Sequence, residues 1–509
     1  MKKIRTSIVP PVPGKSPNYW CTWGRQNSVA QKHEAAKFFG DQGAKLGRDN
    51  LNEECLFREG GWADYFPECR SDLFFVLDDG WDVPYDTHPD KHLSRFGSGI
   101  PDQARFPGFQ GTAPQRLKQI NRALQRRGWR GLGLWIAAQA QGESWQKTFT
   151  PEQQRAYWTE RLKWAAEAEI GLWKVDWGIH GGDLDFRRLL TELAKEFAPD
   201  LLLEHCVGSP CVNALRCQHG WDGSGRFVDM GGNIPRAAFK VQQFSGMTRF
   251  YDLSGPLKNA AAMDRLAFYL MTAGTGWLNV EDMVYMGASA GCPFGVMRSP
   301  HNKPSITGEA SRCREVGRAL RWQRIAPAFR SGEEQIRTAS RILTDTWKYS
   351  EKDTWDQNLI GRLSRQSAPW GIARNMPLPE VQPLNPEEDL PFITAALNPN
   401  GAVSVAVAER VQAGRGFYQP ECLLRLPLDC SNRTIGIFGT PERLELPVSA
   451  SRVRVTGQDL AEDSAFDLSE ECPVVNGTLL VTRELIQKIT IREPGDVSAP
   501  GTVLRIEPY

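Results

Sequence analysis

From Tyr19 to about Phe329, short apolar runs alternate with longer stretches whose apolar positions recur every three or four residues. The runs are Tyr19–Trp23, Leu73–Leu77, Gly131–Ala137, Gly171–Val175, Leu201–Cys206, Met247–Tyr251, Gly274–Val280 and Cys292–Met297. Amphipathic stretches at Pro114–Arg127, Pro151–Glu169, Asp185–Phe197, Asn259–Ala273 and Glu309–Ile325 lie between them. Parallel strands need helical crossovers of this length, so eight runs spaced in this way predict a (β/α)8 TIM barrel over residues 1–330. After Arg330 the period shortens to two. Runs such as Ala402–Ala408, Glu421–Leu428, Thr434–Phe438, Arg452–Val455, Leu479–Val481 and Lys488–Ile491 are separated by turn signals such as Asn398-Pro399-Asn400-Gly401. That texture predicts a C-terminal antiparallel β domain, sandwich-like, over residues 331–509.

Composition narrows the function. Lys and Arg number 61 against 60 Asp and Glu, a formal charge of +1. That balance offers no basic face for nucleic acid and no polybasic membrane anchor. A 41% hydrophobic content supports a large core and excludes a disordered chain. No 18-residue apolar run is present to span a membrane. Met1–Arg5 runs into Pro10, Pro11 and Pro13 without an apolar stretch, which reads as a cytoplasmic rather than a secreted start. The 11 cysteines are odd in number and lack a CxxC pair, so buried free thiols, Cys206 among them, are expected rather than disulfides or zinc. Seventeen tryptophans lean mildly toward a carbohydrate partner, because aromatic faces stack on sugar rings. Self-association stays open.

Barrel enzymes place their chemistry where strands end. Asp78 and Asp79 follow Leu77. Lys174 and Asp176 share a face at the end of the fourth run. Glu204 and Cys206 close the fifth, Arg249 and Asp252 the sixth, and Glu281 and Asp282 the seventh. Each pair alone is explained by a turn or a surface ion pair. Charged groups ending apolar strand after apolar strand are not, because burying carboxylates costs free energy. Two carboxylates with polar clamps and Trp walls suit glycoside hydrolysis. One acid faces the anomeric carbon and the other protonates the leaving oxygen. The run Asp82, Asp86, His88, Asp90 and His92 fits no metal loop and reads as a solvated acidic loop, so neither metal nor cofactor is expected.

Taken in order, these residues resemble the retaining α-galactosidase clan of glycoside hydrolases. Leu77-Asp78-Asp79-Gly80-Trp81 carries that clan's second-strand Asp-Asp-Gly-Trp signature, and Trp173-Lys174-Val175-Asp176 resembles its fourth-strand Lys-x-Asp. Tyr19–Trp23, Leu203–Cys206, Arg249–Asp252 and Trp277–Met283 resemble its first-, fifth-, sixth- and seventh-strand elements. The resemblance implies Asp176 as nucleophile and Asp252 as acid/base, with carboxyls ~5–5.5 Å apart. It implies Asp78 and Asp79 on the 4- and 6-hydroxyls, Lys174 and Arg249 on neighbouring hydroxyls, Glu204 and Cys206 near the 2-substituent, and Trp23 and Trp81 around the ring. The Arg249-to-Asp252 interval is one residue shorter than the clan's usual spacing, which keeps Asp222 and Asp229 as substitutes for the acid. Cys55–Arg70 and Val207–Gly246 are longer than a minimal barrel needs and are expected to shape the entrance. A transglycosylase with the same site, or a non-catalytic carbohydrate-binding barrel, are the alternative readings.

Overall fold

The computed structural model describes residues 1–4, 6–28, 41–207, 239–250, 257–272, 274–298, 300, 312–348, 363–492, 494 and 496–509. Eight strands form one parallel sheet: β1 (Tyr19–Cys21), β2 (Phe74–Leu77), β3 (Gly131–Ile136), β4 (Leu172–Val175), β5 (Leu202–Val207), β6 (Met247–Phe250), β7 (Trp277–Asn279) and β8 (Gly295–Val296). The order β7-β6-β5-β4-β3-β2-β1-β8 follows the chain except for β8, which pairs with β1. The ring is nearly closed beyond the last strand. Val280 N donates to Pro293 O at 3.0 Å and Asp282 N to Gly295 O at 2.7 Å. All eight runs read from the sequence contain a strand, although the first stops at Cys21. Trp23 instead opens a short helix, Trp23–Asn27.

Register sorts the side chains. Lys174 pairs with Glu204, Cys206 with Arg249, and Arg249 with Asn279. Along each strand one set of alternate residues meets its counterparts inside the barrel: Tyr19, Cys21, Val76, Leu172 and Met247 form a buried apolar cluster there. The other set, including Phe75, Leu77, Leu134, Ile136, Trp173 and Val175, packs outward on Leu117, Ile120 and Leu124 of helix Ala113–Arg126 and on Trp158, Leu162 and Leu190 of the next two helices. His205 belongs to this outer set. It is fully buried, with Thr191 Oγ1 2.8 Å from Nε2 and Arg187 Nη1 3.1 Å from Nδ1. Burial and the Arg187 charge hold its pKa well below the usual range. Its role is structural.

Cys55–Arg70, expected at the entrance, instead packs Leu56, Trp62, Ala63, Tyr65, Phe66 and Cys69 into the core cluster with Trp20, Phe75 and Trp129. The stretch is too apolar to stay at a mouth.

The C-terminal region is rich in antiparallel pairs but mixed. Its nine-stranded sheet includes parallel pairings of Gly371–Arg374 with Phe392–Leu397 and of Val403–Ala408 with Arg433–Phe438. The N-terminal strand Lys2–Ile4 joins this sheet beside Ala465–Asp467. Lys488–Ile491, read as a strand, is corrected: Arg483–Ile489 is a helix. Thr482 Oγ1 caps it by accepting from Leu485 N at 3.3 Å, and Leu485, Ile486 and Ile489 bury one helical face. Arg318 ties the two regions together through Asp459 at 2.8 Å on each oxygen, and both side chains are buried.

Candidate active site

The inward alternate residues turn from apolar to charged toward the C-terminal ends of the strands. On β4 the inward series is Leu172, Lys174, Asp176; on β5 it is Leu202, Glu204, Cys206; on β6 it is Met247, Arg249. One end of the barrel therefore collects Asp78, Asp79, Asp176, Glu204 and Glu281 with Arg48, Lys174 and Arg249, all buried.

Asp176 lies just past β4. Its N–H donates to Ile136 O at 3.0 Å, which ties it to the end of β3. Its Oδ2 accepts from Trp135 Nε1 at 3.1 Å, and Arg249 Nη2 lies 3.9 Å from the same oxygen. The residue is 7% exposed. Arg249 is placed by three further features: its Nη1 sits tightly on Glu281 Oε1, its Nε donates to Cys206 Sγ at 3.3 Å, and its register fixes it beside Asn279.

Asp78 and Asp79 are fixed differently. Asp78 Oδ2 receives Lys174 Nζ at 2.6 Å and Cys21 Sγ at 2.8 Å, and its Oδ1 accepts from Asp79 N at 2.9 Å. Burial works against the charge on Asp78, but the Lys174 ammonium and these hydrogen bonds outweigh it, so its pKa lies below the ordinary value. Burial and the Arg249 charge oppose the Lys174 ammonium; the neighbouring Asp78 and further anions raise its pKa well above normal. Asp79 Oδ2 is held by Arg48 Nη2 at 2.7 Å and Trp177 Nε1 at 3.3 Å. Its Oδ1 is buried and has no hydrogen-bond donor among the described residues. Gly80 has φ +119°, and a Cβ there would lie 2.9 Å from Arg48 Cα. Glycine thus lets the helix Asp41–Asp49, which carries Arg48, approach the turn.

Glu204 is fully buried. Its Oε2 accepts from Tyr19 Oη at 2.9 Å, and Asn279 Nδ2 donates to Oε1. Burial raises its pKa, against pulls from Arg249, Asn279, Lys174 and Tyr19. Burial raises the Cys206 thiol well above its normal range.

The structure thus brings Asp78, Asp79, Lys174, Asp176, Glu204, Cys206 and Arg249 to one end of the barrel. Asp252, Asp222 and Asp229 lie outside the described residues, and so does the expected Asp176–Asp252 separation. Trp81, expected around a sugar ring, is fully buried instead; its Nε1 donates to Trp135 O at 2.7 Å. It braces Trp135, which in turn donates to Asp176. Trp23 is half-buried at its helix start.

Trp135, Tyr19, Asn279 and Arg48 were not singled out from the sequence. The signal for the first three is their parity, two residues apart from inward-facing neighbours. Asp82, read as part of a solvated loop, is corrected to a buried carboxyl held by Gly99 N at 3.1 Å and Ser98 Oγ at 3.3 Å. Burial pushes it up to about 7. It lines a small cavity on the helix side with Trp81, Leu134, Trp158 and Trp173. Among the described residues no group of three His, Cys, Asp or Glu side chains is arranged to hold a metal ion.

No family model matches this sequence, and no curated protein matches it. Solved structures do resemble it. An inferred α-galactosidase/melibiase of Bacteroides fragilis is 12% identical, with 96% of this chain and 78% of that one covered and a TM-score of 0.40. An inferred α-N-acetylgalactosaminidase of Bacillus halodurans is 11% identical, covers 99% and 100%, and scores 0.40. The α-galactosidase of Saccharomyces cerevisiae, solved with raffinose, is 9% identical, covers 96% and 97%, and scores 0.38. Among the described residues no helix is long and apolar enough to cross a membrane.

Proposed function

We propose that this protein is a retaining glycoside hydrolase that removes terminal α-linked galactose-like sugars. The observation that carries the reading is Asp176. It is a buried carboxylate at the end of a barrel strand, oriented by Trp135 Nε1 and faced by Arg249, among further carboxylates already paired with Lys174 and Arg48. Folding alone gives no reason to gather such a set. The buried carboxylates gathered here favour the positive charge that develops on the anomeric carbon and ring oxygen.

In this reading Asp176 attacks the anomeric carbon while Asp252 protonates the leaving oxygen. The glycosidic bond breaks as the Asp176–sugar ester forms. Asp252 then deprotonates a water that displaces Asp176, returning the proton to complete the cycle. Lys174 keeps Asp78 ionised, and Lys174 and Arg48 hold Asp78 and Asp79 in place, so that both accept from sugar hydroxyls. The unengaged Asp79 Oδ1 is suited to that task. Residues 331–509 are proposed as an accessory domain that takes no part in the chemistry.

The test is release of nitrophenol from 4-nitrophenyl α-galactoside by the wild type and by Asp176→Asn. Turnover in the wild type and a loss of at least about 1000-fold in the variant are expected. Equal turnover in the two would refute Asp176 as nucleophile. No turnover on any aryl α-glycoside would refute the activity itself.

A further inference from the structure

The loop from β3 to the helix Pro151–Glu167 ends in a small, tightly anchored turn that presents one ring to solvent. Trp145 is 73% exposed at its tip. A surface tryptophan in that state forgoes a large burial energy, and a turn needs no aromatic residue at its tip.

The turn is nevertheless fixed. Ser144 N donates to Lys147 O at 2.8 Å and Lys147 N to Ser144 O at 3.1 Å. Beneath it Glu143, whose side chain is fully buried, accepts from Ala140 N and Phe149 N at 2.7 Å each and from Gln154 Nε2 at 2.6 Å. Its fourth contact is His180 Nε2 at 3.2 Å. His180 belongs to the loop that begins with Asp176, and its N–H donates to Ala138 O at 2.9 Å; Ala138 N in turn donates to Trp177 O at 2.8 Å. The Trp145 turn is thus bolted to the nucleophile's own loop by a buried carboxylate, on the barrel face where Asp176 lies. Tyr85, 40% exposed on the neighbouring loop after β2, is the other exposed aromatic ring on a described loop leaving a strand's C-terminal end.

We infer that Trp145 is a stacking platform for a second saccharide unit of the substrate, on the leaving-group side of the scissile bond. This rests on the proposed activity. Sugar rings offer an apolar face that an exposed indole matches, and a turn fixed beneath it reduces the ordering cost of binding.

The experiment compares kcat/KM for raffinose, an α-galactosyl trisaccharide, with kcat/KM for 4-nitrophenyl α-galactoside. The ratio is measured in the wild type, Trp145→Ala and Trp145→Phe. Roughly a tenfold fall of the ratio in Trp145→Ala, with Trp145→Phe within about twofold of the wild type, is expected. A ratio within about twofold of the wild type in Trp145→Ala overturns the platform while leaving the activity standing. Loss of both activities in parallel also overturns it, because a purely structural role moves both. A wild type that turns over neither substrate refutes the activity and takes the platform with it.

Discussion

Replacing Lys174 with Met isolates the cost of holding Asp78 in the barrel. The Lys174 and Asp78 side chains are 2% and 4% exposed and meet at 2.6 Å. Removing one partner of a buried pair leaves an uncompensated charge, at a cost of about 3–5 kcal/mol. In a region of about 330 residues each kcal/mol moves the melting temperature by roughly 1.5 °C, so Lys174→Met is expected to melt about 4–7 °C lower at pH 7. The sign of the pH dependence follows from the two shifts. Asp78 is depressed in the folded state, so its contribution is complete above about pH 4 and fades only as pH falls through its lowered pKa. Lys174 is raised, so its contribution is complete below about pH 10 and fades only as pH climbs through its raised pKa. Wild-type pairing is therefore constant between pH 5 and 9. In the variant Asp78 keeps its burial but loses its cation, so it takes up a proton as pH falls. The gap between variant and wild type should narrow from pH 7 to pH 5. Adding Asp78→Leu to Lys174→Met should recover part of the loss at pH 7. Calorimetry of the three proteins checks this; a shift under about 2 °C, or a gap that ignores pH, would refute the account.

Two further outcomes follow from the same end of the barrel. Glu281→Gln frees the Arg249 guanidinium to close on Asp176. A fall of about tenfold in kcat/KM on the aryl galactoside is expected, with the acid limb of its pH profile moved lower; a changed KM with an unmoved limb would contradict it. Asp82→Asn tests a carboxyl raised to about 7 by burial. Between about pH 4 and 7 the native protein retains a proton that the unfolded chain has lost, so wild-type stability falls as pH rises. The variant should match the wild type near pH 4 and gain up to about 4 kcal/mol by pH 8. Thermal melts at both pH values that show a constant difference would contradict it.

The barrel was legible because period-two alternation reports which side chains share a face. Lys174 and Asp176, read as sharing a face, both lie on the inward side of their strand, as do Glu204 and Cys206 on theirs, and the intervening His205 faces the helices. What alternation does not report is register between strands. Trp135 meets Asp176, and Tyr19 meets Glu204, only because the crossovers bring those strands to that stagger. Trp81 illustrates a different limit. Beside two acids it reads as a ring platform, yet it turns toward the helix side, where it lines a cavity with Leu134 and Trp158. Lys488–Ile491 failed because a few apolar residues at the end of a short helix fit a strand equally well; the Thr482 cap decides it.

The inward series also explains why the charged groups sit at one end only. Apolar residues at positions such as Leu172, Leu202 and Met247 close the barrel from the N-terminal side, so charges above them are cut off from water below and must find partners among themselves. Lys174 serves Asp78, Arg48 serves Asp79, and Arg249 is divided between Glu281 and Asp176. The division is unequal: Arg249 sits tightly on Glu281 and 3.9 Å from Asp176. A guanidinium fully committed to Asp176 would occupy the lone pairs that the proposed attack requires. In the proposed mechanism Glu281 thus keeps the cation near Asp176 without letting it close.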